Sequence, residues 1–263
     1  MTEILGYIAV SIMGLVLGLL GGGGAILTVP ILVYIFGLDV VQATTSSLFI
    51  VSLAAFVASI KFGIRKEIDY KIVLFFALPS FLGIYLARSV VLPFLPDVIF
   101  SFATFDISKA DIILISFALL MVSASYAMLK KKKETVSIKI SPSKIRVVIQ
   151  GVLVGFITGF VGAGGGFLII PVLTNLIGLR MRMAIGTSLL IIGINSIFGF
   201  SISYLGGSEV HWMLQISIVA IAIVGSLIGS HFSNQFDENK LKRSFGYLIL
   251  LLGSLIILNK VLN

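Results

Sequence analysis

A glycine-rich string occurs twice in this chain, 141 positions apart. The first copy runs GLLGGGGAILTVP from Gly18 to Pro30, and the second runs GFVGAGGGFLIIP from Gly159 to Pro171. Aligned without a gap, residues 18–48 and 159–189 are identical at 12 of 31 positions. The sequence therefore predicts an internal duplication, with residues 1–129 as the first repeat, 130–145 as a basic linker and 146–263 as the second repeat.

Both copies contain a glycine run inside strongly apolar sequence: residues 21–24, the first glycine run, and residues 162–166, the second glycine run. Glycine weakens a helix by about 1 kcal/mol per residue relative to alanine, so each run predicts a break. In lipid, broken backbone persists only where it is buried in protein or lines a cavity. The runs could serve close helix packing or form a site in corresponding places of two halves, and their repetition favours a site.

The composition places the chain in a membrane. Apolar residues make up 58% of it, charged residues only 11%, and the mean hydropathy is +1.16, which excludes a soluble globular fold. The net charge of +8 comes from basic residues in short loops between apolar segments, which is typical of topology signals. We expect an all-α polytopic membrane protein with no nucleic-acid partner.

Ten apolar segments predict the helices, five in each repeat, with a glycine-broken hairpin in each half. The second and seventh segments reach only about 20 Å, short of the roughly 30 Å hydrocarbon core. Whether each hairpin spans the membrane or re-enters it stays open, which leaves about eight to ten membrane segments. The stretch 91–110 has no full-length counterpart and is expected to be an external flap or interfacial piece. The segments are 4–20, 25–37, 43–60, 71–88, 111–129, 146–162, 166–178, 184–205, 212–231 and 244–261.

Basic residues decide the predicted orientation. They cluster after the third segment, in the linker, after the seventh segment and after the ninth. Alternating crossings put all four clusters on one side, which the positive-inside rule makes cytoplasmic, so both termini are predicted outside a multi-pass cytoplasmic-membrane protein. Because five segments per repeat is an odd number, the second repeat is predicted to be inverted relative to the first. The two glycine tips would then enter from opposite sides and meet.

Catalytic signals are absent from the sequence. There is no HExxH, no GxSxG and no GK[ST] phosphate loop, and His211 and His231 are isolated. The chain has no cysteine, and no acidic residue lies deep inside a predicted membrane segment. A thiolate metal site and an intramembrane carboxylate relay are therefore unsupported. We expect no enzyme activity, no metal and no cofactor.

The sequence offers neutral polar groups within the membrane. A helix N-terminus presents free amide donors and about half a positive charge, which suit a small anion without any basic side chain. Hydroxyl residues open the third and eighth segments, where they either contact the ligand or cap the helices. The predicted substrate-binding residues are Gly21, Gly22, Gly23, Gly24, Ala25, Thr45, Ser46, Ser47, Gly162, Gly164, Gly165, Gly166, Thr187 and Ser188.

Other polar residues receive simpler interpretations. Asn195 is expected to join helices rather than touch substrate. His211 and Trp212 are expected at the outer boundary of the membrane. Arg88, at the end of the fourth segment, is expected to reach the headgroups, with an external funnel for anions as the alternative. Alanine at Arg88, His211 or His231 is therefore expected to have only modest effects.

At these residues the chain resembles the TauE/SafE family, the sulfite exporter or anion permease family formerly treated as a domain of unknown function. The resemblance rests on the glycine-to-proline strings at 18–30 and 162–171, on ATTSS at 43–47 and on AIGTS at 184–188, and it spans both repeats. It implies export of a small sulfur-containing anion, sulfite or an organosulfonate such as sulfoacetate. The first copy is richer in hydroxyls, so the two half-sites need not contribute equally.

The preferred hypothesis is a secondary transporter that works by alternating access around the two glycine tips. An anion channel and a non-transport accessory or sensor protein are the alternatives. The expected partners are a small anion and membrane lipid; a coupling proton or sodium ion and a homo-oligomer stay open. Valine at Gly23, Gly24, Gly164 or Gly165 is expected to abolish transport in a folded protein, because a side chain there would block the backbone's approach to the ligand.

Overall fold

A computed structural model describes residues 2–102, 105–129, 144–233, 235 and 238–262. The linker predicted at 130–145 lies outside these ranges except for its last two residues. Over the described residues the predicted all-α membrane fold is confirmed, with one small β-hairpin as a departure.

The described residues of the first repeat form five helices, of which two are composite. Helix α2 begins as a 3-10 turn and ends as a π turn, and α4 contains a π turn near its end. The helices are α1 (Thr2–Leu20), α2 (Gly23–Leu27, Thr28–Pro30 and Ile31–Ile35), α3 (Val40–Ile64), α4 (Tyr70–Tyr85, Leu86–Val91 and Leu92–Phe94) and α5 (Lys109–Leu129).

The second repeat follows the same plan over the described residues. Its helices are α6 (Lys144–Val161), α7 (Gly166–Pro171 and the π turn Val172–Leu176), α8 (Met181–Leu205), α9 (Trp212–Phe232) and α10 (Glu238–Leu262). Each predicted apolar segment thus coincides with a helix. Helices α3 and α8 each have 25 residues and begin 141 positions apart, the offset of the glycine strings.

Six of these helices, in the described part of the chain, are long and apolar enough to cross a membrane: α1, α3, α4, α5, α8 and α9. The apolar stretches Gly23–Ile35, Ile145–Val161 and Gly246–Leu258, in α2, α6 and α10, are shorter. Helices α3 and α8 are the most deeply buried of the six, with 56% and 72% of their spanning windows inside the protein. The core is therefore centred on the third helix of each repeat.

The expected flap between α4 and α5 is a β-hairpin. Strands β1 (Val98–Phe102) and β2 (Phe105–Ser108) pair antiparallel, with a register irregularity between Val98 and Phe100. The Asp111 carboxylate accepts a hydrogen bond from the Ser108 amide at 2.9 Å and so fixes the entry into α5. Residues 91–94 of the stretch predicted as a loop extend α4 instead.

The end of α2 and the end of α7 have matching geometry. A π turn follows Pro30 in α2 and Pro171 in α7, because proline lacks the amide that would continue the α-helical bonding. Each helix then stops at a glycine with positive φ, 69° at Gly37 and 81° at Gly178. The duplication is therefore visible in local backbone structure as well as in sequence.

Glycines let α1 pack tightly on α9, a helix of the other repeat. Gly14 lies against the backbone of Ala222, and Gly18 lies against the backbone of Ser226. The residue numbers rise together along the contact, so α1 and α9 run in the same direction. Small residues are the usual means of such close approach between membrane helices.

The counterpart of this contact joins α4 to α6. Gly155 lies against the backbone of Ser80, and Gly159 lies against that of Ile84, so these two helices also run in the same direction. The fourth helix of each repeat thus packs on the first helix of the other, at positions that differ by 141 in the first helices and by 142 in the fourth.

The two third helices, α3 and α8, run in opposite directions. Gly186 contacts Phe62, and Gly199 contacts Leu48, so residue numbers rise along one helix as they fall along the other. Gln215 of α9 bonds to Ser46 of α3, and Ser226, further along α9, bonds to the carbonyl of Ala54, further along α3. Helix α9 therefore runs parallel to α3. Helix α4 runs parallel to α8 in the same way, through Ser80–Asn195 and Arg88–Ser203.

Candidate functional site

The two glycine runs turn the backbone sharply after α1 and α6. In the first run Gly21 and Gly22 have φ of 65° and 129°, and in the second run Gly162, Gly164 and Gly165 have φ of 76°, 66° and 66°. Such left-handed conformations cost residues with a side chain about 1–2 kcal/mol. Glycine is therefore required by the turns themselves.

The first and second glycine runs meet in the folded protein. A methyl group placed on Gly22 would lie 2.6 Å from Cα of Gly166, which is closer than side-chain carbons approach backbone in real structures. The contact exists only because both residues lack a side chain. The two glycine tips therefore come together, as expected from the sequence.

Each glycine run also packs on the third helix of the other repeat. A methyl group on Gly21 would lie 2.8 Å from Cα of Ile185 in α8, and one on Gly162 would lie 2.7 Å from Cα of Thr44 in α3. The two contacts are related by the offset of 141. The glycine runs and the starts of α3 and α8 therefore form one cluster, to which both repeats contribute equally.

All fourteen predicted substrate-binding residues are buried. The runs and the hydroxyl residues of α3 and α8 are thus brought together and shielded from solvent in this conformation. Whether they contact substrate stays a prediction, because burial and proximity alone do not identify a ligand.

The capping interpretation of the hydroxyl residues is wrong. Helix α3 begins at Val40, and the Asp39 carboxylate caps it by accepting from the Val41 amide at 2.9 Å. Helix α8 begins at Met181. The predicted hydroxyl residues lie more than a turn inside these helices, since the segments were placed three residues too late. Their hydroxyls are free to make tertiary contacts instead.

The hydroxyl residues of α3 differ in their partners. Thr45 donates to the Val41 carbonyl at 3.3 Å and accepts from Arg88, and Ser46 accepts from the Gln215 amide nitrogen at 2.6 Å. The Ser47 hydroxyl has no hydrogen-bond partner within the described residues, although it is fully buried. Ser47 is therefore the predicted hydroxyl with unused capacity for a ligand.

The hydroxyl residues of α8 are engaged by the protein. Thr187 accepts a hydrogen bond from the Asp69 amide at 3.0 Å. Ser188 is placed to donate to the Ile185 carbonyl at 2.8 Å and to the Gly21 carbonyl at 2.5 Å. Ser188 thus ties the first glycine run to α8, which is a structural role.

Two glycines of the predicted site have a packing role. A side chain on Gly24 would meet the backbone of Met13 and Leu17 in α1, and one on Gly165 would meet the Thr158 side chain in α6. These positions are equivalent in the two repeats, and each lets its run fold back on the preceding helix. Valine at Gly24 is therefore expected to disturb folding through a backbone clash, and valine at Gly165 through a side-chain clash combined with the strain of a positive φ.

Arg88 is the polar residue that the sequence interpretation misplaced. It is only 6% exposed, so the expectation that it reaches the headgroups is wrong. Its Nη1 donates to the hydroxyls of Thr45 and Ser203, both at 3.2 Å. Nε and Nη2 have no hydrogen-bond partner among the described residues. A buried cation therefore adjoins the predicted site through Thr45.

The error at Arg88 has a structural cause. The fourth segment was predicted to end at residue 88, but the π turn Leu86–Val91 carries the helix on to Phe94. At 1.5 Å per residue, Arg88 lies roughly 9 Å before the helix end. An unpaired buried cation costs several kcal/mol, and polar residues in membrane helices usually mark function. The sequence signal that could have indicated this buried cation is an arginine within a long apolar segment.

The interpretation of Asn195 agrees with the structure. Its Oδ1 accepts a hydrogen bond from the Ser80 hydroxyl at 2.9 Å, which joins α8 to α4. Trp212 is 42% exposed at the start of α9, and its ring packs edge-on against Phe49 with centroids 5.6 Å apart. His231, at the other end of α9, accepts from the Lys61 ammonium at 3.0 Å. These residues link helices.

Apolar membrane-crossing helices packed around two buried, duplicated glycine turns define a polytopic membrane protein of the kind that transports solutes. The chain belongs to the sulfite exporter TauE/SafE family, which it matches over residues 7–256. The match covers both repeats and the whole candidate site.

Relatives in bacteria and archaea carry transporter names. A probable membrane transporter protein of Xylella fastidiosa (strain 9a5c) is 28% identical over 91% of this chain and 89% of its own. The probable membrane transporter protein MJ0441 of Methanocaldococcus jannaschii is 28% identical over 81% and 77%. YdhB of Bacillus subtilis (strain 168), named likewise, is 26% identical over 88% and 90%. No solved structure matches the chain. These findings identify the protein as a membrane transporter.

Proposed function

We propose that this transporter exports a small sulfur-containing anion, sulfite or an organosulfonate such as sulfoacetate, across the cytoplasmic membrane by alternating access. The observation that carries the proposal is the contact between the two glycine runs, one from each repeat. A site shared by two related halves can be opened to either side by equivalent movements. The family's description as sulfite exporters supports the substrate class.

We infer that the two repeats are inverted. Helix α1 corresponds to α6, and α9 corresponds to α4, so swapping the two repeats turns the α1–α9 contact into the α6–α4 contact. A two-fold axis relates contacts in this way. Helices α1, α3 and α9 share one direction, and their counterparts α6, α8 and α4 share the opposite one. A pair of halves related in this way presents the same machinery to both sides of the membrane.

The anion class is supported by the donors around the cluster. The Gly166 and Phe167 amides precede the first hydrogen bonds of α7, which Leu168 and Ile169 donate to the Gly165 carbonyl, and a helix N-terminus carries partial positive charge. Ser47 adds an unpartnered hydroxyl within the described residues. In the described helices that form the cluster, α1 to α3 and α6 to α8, there is no acidic side chain beyond Glu3 in the first turn of α1. Glu67 and Asp69, whose backbone contacts Gly186 and Thr187, lie in the loop after α3. Such surroundings favour an anion over a cation.

The direct test is flux into liposomes that contain the purified protein, with sulfite, thiosulfate, sulfate and sulfoacetate under imposed proton or sodium gradients. We expect saturable, protein-dependent flux of at least one sulfur-containing anion. Protein-free liposomes are the control. Sustained single-channel current would favour a channel, and no flux of any anion would favour an accessory or sensor protein.

The inverted arrangement predicts the side on which each loop lies. Because the chain lacks cysteine, single cysteines can be introduced and labelled in intact cells. Labelling of positions 132 and 263 from the same side would contradict the inversion; these two positions and 237 lie outside the described residues. We expect outside labelling at Glu3, Asp39, Gly207 and Asn263, and cytoplasmic protection at Lys66, Lys132, Arg180 and Asp237.

Ser47→Ala and Ser188→Ala should separate ligand binding from stability. The Ser47 hydroxyl has no partner in the described structure, so its loss should weaken apparent anion affinity several-fold to about a hundredfold, given about 0.5–3 kcal/mol per hydrogen bond. Ser188→Ala removes the bond to Gly21 and should lower the unfolding free energy by about 1 kcal/mol. Concentration-dependent uptake and thermal unfolding are the measurements.

Ser123→Ala is the matched control, because Ser123 is exposed and bonds only within its own helix. Ser123→Ala should change neither the apparent anion affinity nor the unfolding free energy. Normal affinity in Ser47→Ala would remove Ser47 from the binding site.

A further inference from the structure

We propose that the guanidinium of Arg88 is an anion-binding group of this transporter, and that it takes a compact oxyanion through Nε and Nη2. The inference rests on the proposed function and names the cation that the substrate meets beside the second glycine run. Arg88 belongs to no part of the site predicted from the glycines and hydroxyls.

The open edge of Arg88 has the geometry of an oxyanion receptor. Nη1 is occupied by Thr45 and Ser203, whereas Nε and Nη2 have no partner in the described residues. The N–H of Nε and one N–H of Nη2 point in the same direction from the planar group. This edge matches two oxygens of a sulfite, sulfonate, carboxylate or phosphate, the arrangement in which arginine binds oxyanions most strongly.

The position of Arg88 places it beside the glycine cluster. Thr45, which accepts from Arg88, follows Thr44, the residue that packs on Gly162. Ala87, one residue before Arg88, lies against Gly159 at the end of α6. The guanidinium therefore lies next to α3 and α6, the two helices that contact or precede the second glycine run.

The corresponding place in the other repeat is contacted by an arginine from a different part of the chain. In the other repeat the residues at the corresponding positions are Ser230 for Arg88, Gly186 for Thr45 and Phe62 for Ser203. There the guanidinium of Arg65, which follows the end of α3, donates from Nη1 to the Ser230 carbonyl and to the Ser233 hydroxyl, both at 3.4 Å. Arg65 is half-buried, whereas Arg88 is buried and its Nε and Nη2 have no partner among the described residues, which a ligand explains better than packing.

The backbone at Arg88 is also unusual. The residue lies within the π turn Leu86–Val91, and single π turns inside helices are frequent at functional sites because the extra residue redirects a side chain. The corresponding stretch of α9 is uninterrupted α-helix. The departure from two-fold equivalence thus affects backbone and side chain together.

Burial of the open edge implies that the anion enters when the surrounding helices separate. In the present conformation Nε and Nη2 are inaccessible. On the inferred topology, Arg88 lies toward the outside, near the end of α4 and the end of α8. The guanidinium would therefore receive the anion on the side where export ends.

Thermal unfolding of the purified protein in sodium sulfite, compared with sodium chloride at equal ionic strength, tests the proposal without requiring flux. A ligand that binds only the folded state raises the melting temperature. We expect sulfite to raise it for the unmodified protein and not for Arg88→Gln. Because Arg88→Gln removes an unpaired buried charge, its melting temperature in chloride should equal or exceed that of the unmodified protein.

Two further variants sharpen the test. Arg88→Lys keeps the charge but loses the planar edge, so it should retain only part of the sulfite effect; a full effect would overturn the two-nitrogen contact. Arg146→Gln removes the same charge at an exposed position of α6 and should respond to sulfite like the unmodified protein.

Flux separates failure of this inference from failure of the proposed function. In liposomes, Arg88→Gln should raise the half-saturating sulfite concentration at least about tenfold, or 1.4 kcal/mol. If the unmodified protein transports sulfite and Arg88→Gln does so with unchanged half-saturation, the role of Arg88 is refuted and the transporter proposal stands. If the unmodified protein neither transports nor is stabilised by any of the tested oxyanions, both proposals fail.

Discussion

Gly166→Ala should abolish anion flux while the protein still inserts into the membrane. The added methyl group would collide with the backbone of Gly22 and separate the two glycine runs. Misplacement of a positioned group by about 1 Å can reduce function about a hundredfold. Gly166 does not have positive φ, so the variant tests the contact between the runs without backbone strain. Flux per folded protein in liposomes is the measurement.

Gly37→Ala is the matched control for strain without contact. Gly37 has φ of 69°, close to the 65° of Gly21, but a methyl group there would meet nothing within 4 Å. It should cost about 1–2 kcal/mol of stability and leave transport intact. If Gly166→Ala transported normally, the runs would be packing elements, and the observation that carries the proposed function would be lost.

Gly18→Ala should strongly destabilise the protein. Its methyl group would fall on the backbone of Ser226, so α1 would have to move away from α9. Overpacking of a tight contact costs about 1–3 kcal/mol, and larger residues should prevent folding altogether. The melting temperature and the fraction of monodisperse protein after purification report the effect.

Gly63→Ala is also a glycine-to-alanine substitution in a helix, but we expect it to stabilise the protein. Gly63 lies in α3, and a methyl group there would approach nothing closer than the Tyr70 hydroxyl at 3.3 Å. Replacing a helical glycine with alanine then stabilises by up to about 1 kcal/mol. Equal melting temperatures for Gly18→Ala and Gly63→Ala would contradict the tight α1–α9 contact.

Sequence patterns located the helices because the signals for them are local. Apolar runs of helical length mark α3 and α8, and the glycines mark the places where α1 and α6 end. The repeat offset also indicated which residues are equivalent, so it led correctly to the contact between the glycine runs. The positions of the helices, their ends and the repeat offset all follow from local sequence, so they can be predicted without knowledge of the fold.

Features that depend on distant residues could not be predicted in the same way. The burial of Arg88 results from hydroxyls 43 and 115 positions away, and nothing in the fourth segment indicates them. The start of α3 differs from the prediction because the cap is Asp39, four residues before the predicted apolar segment 43–60. The substrate roles of Ser47 and the glycines depend on a ligand, and they stay predictions.

The exchange of packing partners between the repeats has a consequence for biosynthesis. Helices α1 and α4 fit against α9 and α6, which the ribosome makes later. Until then, the glycine faces of α1 and α4 lie against lipid, and no hydrophobic driving force holds the early helices in their final places. The first repeat therefore cannot mature as a unit. Completion of the native structure must wait for the second repeat, so a chain interrupted after α5 should be a substrate for membrane proteases rather than a stable half-transporter.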